Sequence, residues 1–311
     1  MPSFSDFNFR SSVGGNTLHA RMCTPDSKPR GIIQIAHGIG DYIRRYDEMA
    51  LFFAANGFLV VGNDHLGHGE NITDESNTGF FAADNGWDHV VTDMDTLSDI
   101  IREQYPDIPY IFLGHSMGSF LVRTYIIKHP DKYDAAILSG TGHMPSSLIL
   151  GGYALATATV KINGPQANGQ LLNDIAFGSY NTRVDKPLTA FDWVCSDPEV
   201  VKKYVDDPCC GFVAKAGLFR DMMSGIKFIT AKSNIAKMSK KQPIYFYAGK
   251  EDPVGEYGAG VERAYKAFCN AGCNDVYMKI YPSGRHEMHN EPNRLQVFND
   301  TLDWINKRFP I

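Results

Sequence analysis

No stretch of this 311-residue chain approaches the roughly 18 continuous apolar residues of a membrane-spanning helix. Its first residues, Met1-Pro2-Ser3-Phe4-Ser5-Asp6, lack the basic and apolar regions of a secretory leader. No Lys/Arg run exceeds a few residues and the formal net charge is -5, so the electrostatic footprint of nucleic-acid binding is missing. There is no C-x-x-C pair. The six cysteines (Cys23, Cys195, Cys209, Cys210, Cys269 and Cys273) therefore suggest neither a zinc knuckle nor a redox motif. These absences predict a cytoplasmic protein with reduced, mostly buried thiols, free of metal and cofactor. Internal repeats and low-complexity segments are also missing, and hydrophobic residues at 43% with charged ones at 21% fit an ordinary globular chain.

What is present is an alternation. Short apolar runs predict strands at Asp6 to Ser11, Thr17 to Met22, Gly31 to Ala36, Phe58 to Gly62, Pro109 to Leu113, Ala135 to Leu138, Ile244 to Ala248 and Val276 to Tyr281. Helical patterns lie between them at Tyr42 to Asn56, Trp87 to Tyr105, Gly118 to His129, Tyr257 to Ala271 and Asn293 to Lys307. Val13-Gly14-Gly15-Asn16 reads as a hairpin turn joining the first two strands. One hairpin followed by βα alternation predicts an α/β fold, a mostly parallel sheet with helices on both faces. The alternation fails between about Thr141 and Lys241, where two apolar helical pieces, Leu148 to Val160 and Gln170 to Phe177, stand out. A hundred residues are too many for a loop. The expected organisation is a core of residues 1–141 and 242–311, with 142–241 inserted as a helical cap whose apolar helices line a pocket.

The pentapeptide Gly114-His115-Ser116-Met117-Gly118 sits between a predicted strand and a predicted helix. In a chain with 29 glycines a G-x-S-x-G match alone is weak, but this position is where a nucleophile elbow holds its serine above a sheet edge. An activated serine needs a base, an acid and oxyanion donors, and the strand order says where to look. After the last strand comes Pro282-Ser283-Gly284-Arg285-His286, and His286 is the base candidate because the Gly284 turn can swing it back over the sheet. His289 is its competitor. The His286-Glu287-Met288-His289 spacing is one residue short of the zinc H-E-x-x-H pattern. After the seventh strand Asp252 is the acid candidate, with Glu251 the near alternative. Oxyanion donors are expected from the backbone N–H groups of Met117 and of Ile39, in the turn His37-Gly38-Ile39-Gly40. His37 is expected to order that turn, and His65 and His68 of Asp64-His65-Leu66-Gly67-His68-Gly69 to belong to a structural loop rather than a metal site.

With these residues in place, the chain resembles the monoacylglycerol lipase/lysophospholipase-like branch of the α/β-hydrolases. The resemblance rests on His37-Gly38-Ile39-Gly40-Asp41, Arg45-Tyr46, the 64–69 glycine loop, the 114–118 pentapeptide, Asp252 and Gly284-Arg285-His286-Glu287. It spans the core, while the cap matches loosely. It implies an α/β-hydrolase fold with an eight-stranded sheet and hydrolysis of fatty-acyl esters such as monoacylglycerols or lysophospholipids. The triad would be Ser116, Asp252 and His286, with no cofactor. Asp41 replaces a usual glutamate, Asn71 a common serine and Ser119 a common third glycine. The alternatives are an amide or peptide hydrolase or an acyltransferase on the same triad, or a non-catalytic binding protein. The expected partner is a small acyl ester, with transient lipid contact through the Leu148 to Val160 piece. The oligomeric state is not legible.

Overall fold

The computed structural model describes residues 1–310. Eight strands form one sheet: β1 (Ser3–Arg10), β2 (Thr17–Thr24), β3 (Gly31–Ala36), β4 (Phe58–Asn63), β5 (Tyr110–His115), β6 (Ala135–Ser139), β7 (Ile244–Gly249) and β8 (Val276–Tyr281). Their spatial order is β1-β2-β4-β3-β5-β6-β7-β8. β1 and β2 are an antiparallel hairpin and β2 meets β4 antiparallel, while every later pairing is parallel. The hairpin begins three residues earlier than its sequence suggested, because Ser3 stays in register with Thr24. Ser3 and Ser5 on this edge strand carry no apolar signal to announce it.

Side chains alternate across the central strands. Ile33, Ile35, Ile111 and Leu113 face one core, packed with α1 (Asp47–Ala55) and α10 (Arg294–Asn306). Ile32, Ala36, Tyr110 and Phe112 face the other, packed with α2 (Gly86–Gln104), α3 (Met117–Lys128) and α9 (Ala259–Asn270). Strands covered on both faces need no polar alternation, which is why they read as unbroken apolar runs.

Between β6 and β7 lie five helices: α4 (Ser146–Asn163), α5 (Gln170–Phe177), α6 (Pro198–Asp206), α7 (Ala216–Thr230) and α8 (Lys232–Ile235). The sequence reading found only the first two. α6 carries a legible start, with Asp197 accepting from Glu199 N–H and Pro198 at the first helical position. α7 packs against both α4 and α3, and its buried stripe of Leu218, Met222, Ile226 and Ile229 is diluted in sequence by Gly217, Ser224 and Gly225. Elsewhere the Tyr42 to Asn56 helix begins as a 3-10 turn at Ile43–Tyr46. Tyr257, expected to open α9, is instead left-handed at φ 57° and ψ 37°.

Candidate active site

The loops leaving the C-terminal ends of β3, β5, β7 and β8 meet at one edge of the sheet, as ligand sites of parallel α/β sheets do. β5 turns sharply into α3 at Ser116, whose backbone sits at φ 54° and ψ −123°. Such a conformation persists only where its surroundings hold it. Here they do so by contact: a Cβ on Gly118 would lie 2.0 Å from the Ala36 carbonyl oxygen, and one on Gly114 would lie 2.4 Å from the Gly118 oxygen. The two glycines let the start of α3 drop against β3 and hold Ser116 out. Ser119, where a glycine is common, donates its hydroxyl to Ser116 O at 2.6 Å and ties the elbow further.

Asp252 follows β7 and His286 follows β8, and both are buried. His286 Nδ1 donates to Asp252 Oδ1 at 3.0 Å, and the same oxygen accepts the Val254 N–H at 2.9 Å. Glu251, the alternative acid, is exposed. The base loop is held by Glu291, whose carboxylate accepts from Arg285 N–H (2.7 Å) and Ser196 N–H (2.9 Å). Trp193 lies 5.2 Å from the His286 ring.

His289, the competing base, lies in the loop before α10. Its ring stacks on Tyr46 at 4.6 Å and meets His115 edge-on at 4.8 Å. Neither ring nitrogen has a hydrogen-bond partner among the described residues. Burial pushes its pKa down to about 4, against the opposing pull of Glu287 and Asp41. The fold therefore keeps His289 neutral, while the unfolded chain takes up a proton as pH falls below about 6.5. Its contribution to stability is whole above that value and is lost as pH falls toward 4. His289→Phe is expected to remove about one proton from the uptake on unfolding. Urea titrations between about pH 6.5 and 4.5 should then show a shallower decline than the parent. An unchanged slope would mean that this imidazole is not held neutral.

The turn after β3 is fixed from several sides. His37 Nδ1 donates to Gly38 O at 2.8 Å while its Nε2 accepts the His65 N–H at 2.9 Å, the ordering role expected of it. His65 and His68 pack around this ring, at 4.0 and 5.3 Å between centroids. Gly38 N–H is engaged by Asp41 Oδ2 at 3.2 Å, and Gly40 O accepts from Tyr204 Oη (2.9 Å) and from Gly211 N–H (3.0 Å).

A bridge absent from the sequence reading joins this turn to the base loop. Arg45 forks onto both carboxylate oxygens of Glu287 at 2.6 Å and also reaches Asp41 Oδ1 at 2.9 Å. Asp41 Oδ2 takes the Tyr46 hydroxyl at 2.7 Å. Burial by itself would raise the Asp41 carboxyl, but Arg45 and the neighbouring histidines hold it well below the usual carboxylate range. The shorter aspartate thus reaches both Gly38 N–H and Arg45. Asn71, the second departure, accepts from His19 N–H and donates to Asp64 O, so it closes the glycine loop.

Ser116, His286, Ile39 and Met117 all line one cavity of about 600 Å³. Phe120, Met144, Leu148, Ala176, Phe177, Met222, Met223 and Ile226 give it an apolar lining, to which α7 contributes as many residues as the two helices visible in sequence together. Ser179, Tyr180, Thr182, Arg183, Glu256 and Tyr257 add polar lining, and Tyr180 meets Trp193, which in turn meets His286.

The sheet and its elbow define an α/β-hydrolase. Residues 27–293 match the family described as serine aminopeptidase, S33, and the chain belongs to that family, on its monoacylglycerol-lipase-like branch. The monoacylglycerol lipase of Mycolicibacterium smegmatis is 30% identical over 306 residues, covering 95% of each chain. The monoglyceride lipase of Homo sapiens is 25% identical, over 98% of this chain and 92% of its own. Among solved structures, a highly thermostable carboxyl esterase from Bacillus coagulans, in complex with glycerol, matches with a TM-score of 0.91 and 33% identity over 99% of both chains.

Proposed function

We propose that this protein is a carboxylic ester hydrolase that releases fatty acid from monoacylglycerols through an acyl-enzyme. Ser116 is the nucleophile, His286 takes and returns the proton, and Asp252 holds the imidazole in its working tautomer. Met117 N–H at the start of α3 and Ile39 N–H receive the oxyanion, since Gly38 N–H is already engaged by Asp41. The observation that carries this reading is the His286–Asp252 hydrogen bond beside a strained Ser116 on one largely apolar cavity. The names of the two lipase relatives and of the esterase support the ester substrate.

Amide hydrolysis at a free amino terminus, which the family's description raises, would need an unpaired carboxylate to receive the ammonium group. Each glutamate or aspartate lining the cavity is instead matched by an arginine: Asp41 and Glu287 by Arg45, and Glu256 by Arg263. An ester series from acetyl to long-chain monoacylglycerol, with an aminoacyl amide beside it, tests the choice. Ser116-dependent turnover peaking at medium or long acyl chains is expected. Turnover confined to acetyl or butyryl esters, or to the amide, would overturn it.

Residues 142–241 are read as the cap over this cavity. The exposed residues Leu148, Leu155 and Ile162 repeat every seven residues along α4, a stripe that runs from the cavity rim. No helix among the described residues is long and apolar enough to cross a membrane. The reading is of a cytoplasmic protein that touches lipid aggregates transiently through this stripe. Leu155→Asp combined with Ile162→Asp should lower the fraction sedimenting with phosphatidylcholine liposomes severalfold. Equal sedimentation of variant and parent would remove the stripe from the account.

A further inference from the structure

We propose that Arg123 is a positioning residue for the acyl chain. From the helix that carries the nucleophile elbow it ties down both ends of the inserted segment, and so fixes the apolar wall against which a long chain lies. The inference rests on the ester-hydrolase reading above and concerns which acyl lengths that site accepts.

Arg123 lies on α3, two turns beyond Ser116, and is fully buried. A fully buried arginine is ordinarily paired with a carboxylate. This one bonds to none. Its Nη1 donates to Gly142 O at 2.7 Å and to Thr141 Oγ1 at 3.4 Å, and its Nη2 reaches Ile229 O and His143 Nδ1, both at 3.5 Å. The guanidinium carbon stands 5.6 Å from the centroid of the Phe268 ring, and Nε has no partner among the described residues. Burial without a counter-charge pushes its pKa down to about 9. An apolar side chain of similar volume would fill the space without burying a charge. What it would lack is a rigid fork of donors that can grip several acceptors at once.

Those acceptors belong to the two places where the inserted segment joins the core. Thr141 to His143 leads from the end of β6 toward α4, and Ile229 lies in the last turn of α7. Carbonyls of a last turn have no partner inside their helix, so the guanidinium meets both an open acceptor and the negative end of the helix dipole. At the other joint, burial together with Arg123 and Arg263 pushes the His143 pKa down to about 4, which leaves a neutral ring able to accept. That joint also abuts the acid loop. A Cβ on Gly142 would lie 2.8 Å from the carbonyl oxygen of Val254, the residue whose N–H donates to Asp252.

Each tie lies within a turn of the cavity. Phe120 precedes Arg123 by one turn of α3, Ile226 precedes Ile229 by one turn of α7, and Met144 follows His143. These three residues and Gly142 all line the cavity with Ser116. By holding Gly142 O and Ile229 O together, the fork sets where Met144 and Ile226 stand relative to Phe120 and Ser116. A lysine ammonium is a point charge on a flexible stem and would keep one tie firmly, not both. An octanoyl chain reaches this wall, whereas an acetyl group on Ser116 ends short of it.

The test compares acetyl glycerol with octanoyl glycerol, both as monomers, on the parent, Arg123→Lys and Arg123→Met. Active-site titration with a small fluorophosphonate counts the competent enzyme, and a denaturant titration follows the fold. Per active site, the Met variant is expected to raise KM for octanoyl glycerol about tenfold, equivalent to one decade of binding, with kcat within about twofold of the parent. Its kcat/KM on acetyl glycerol should stay close to the parent's. The Lys variant should fall between. Loss of fold or of competent sites lowers both esters alike, so a purely structural role does not move the octanoyl-to-acetyl ratio. An unchanged ratio in folded variants would overturn the positioning role and leave the hydrolase intact. Failure of both variants to fold would overturn it too, since Arg123 would then serve the fold rather than the chain. A parent that cleaves neither ester would instead strike the ester-hydrolase reading itself.

Discussion

Ser116→Ala is expected to lower kcat on a medium-chain monoacylglycerol by roughly 10⁴-fold or more. The substitution removes one oxygen from a residue whose position is set by backbone, at φ 54° and ψ −123°, and by the close packing of Gly114 and Gly118. Alanine meets the same strain as serine, so the elbow, the oxyanion amides and the cavity should persist. Unfolding free energy should stay within about 0.5 kcal/mol of the parent. The residual rate then reports water attack in a site that still binds substrate. Steady-state kinetics with a denaturant titration separates loss of chemistry from loss of fold. Retention of a tenth of the activity in a folded variant would end the nucleophile assignment.

Asp252→Asn is expected to cost about 10⁴ in kcat with little change in KM. Asp252 Oδ1 accepts from both His286 Nδ1 and Val254 N–H, while Oδ2 is buried with no partner among the described residues. An asparagine amide has two orientations there, and each fails. With its NH₂ toward His286, it presents a donor to Nδ1–H and favours the wrong tautomer. With its oxygen toward His286, it buries the NH₂ unsatisfied and leaves the imidazolium without a counter-charge. A loss below tenfold would move the acid role to Glu251, and Glu251→Gln is the matching measurement. The same assay compares His286→Ala with His289→Ala, and the greater loss is expected at His286. The reverse would favour the ring stacked on Tyr46.

Legibility of the fold followed the range of the interaction. Apolar runs announced β3, β4, β5, β6 and β7 because coverage on both faces buries every position, a property of each strand alone, whereas β1, β2 and β8 are only partly buried and carry weaker patterns. The elbow was readable for a similar reason, since its strand, strained serine and flanking glycines lie within a dozen residues. Asp252 and His286 could be placed because parallel strands deliver their following loops to one edge. The inserted segment was harder. α5 has a clear apolar face, but α7 has a stripe that closes only against α3 and α4.

By itself, then, the sequence determined the strands, the order of the elements and the candidate nucleophile, acid and base, because each rests on neighbours along the chain or on strand order. The tertiary structure decided which side chains face one another across the cavity. Arg45 meets Glu287 from 242 positions away, Trp193 comes to the His286 ring, Arg183 comes over Tyr257, and α7 joins α4 and α5 in lining the cavity. These contacts depend on how loops from different strands and helices of the inserted segment settle against each other. Hydrophobic periodicity reports only that a face is buried, not what covers it.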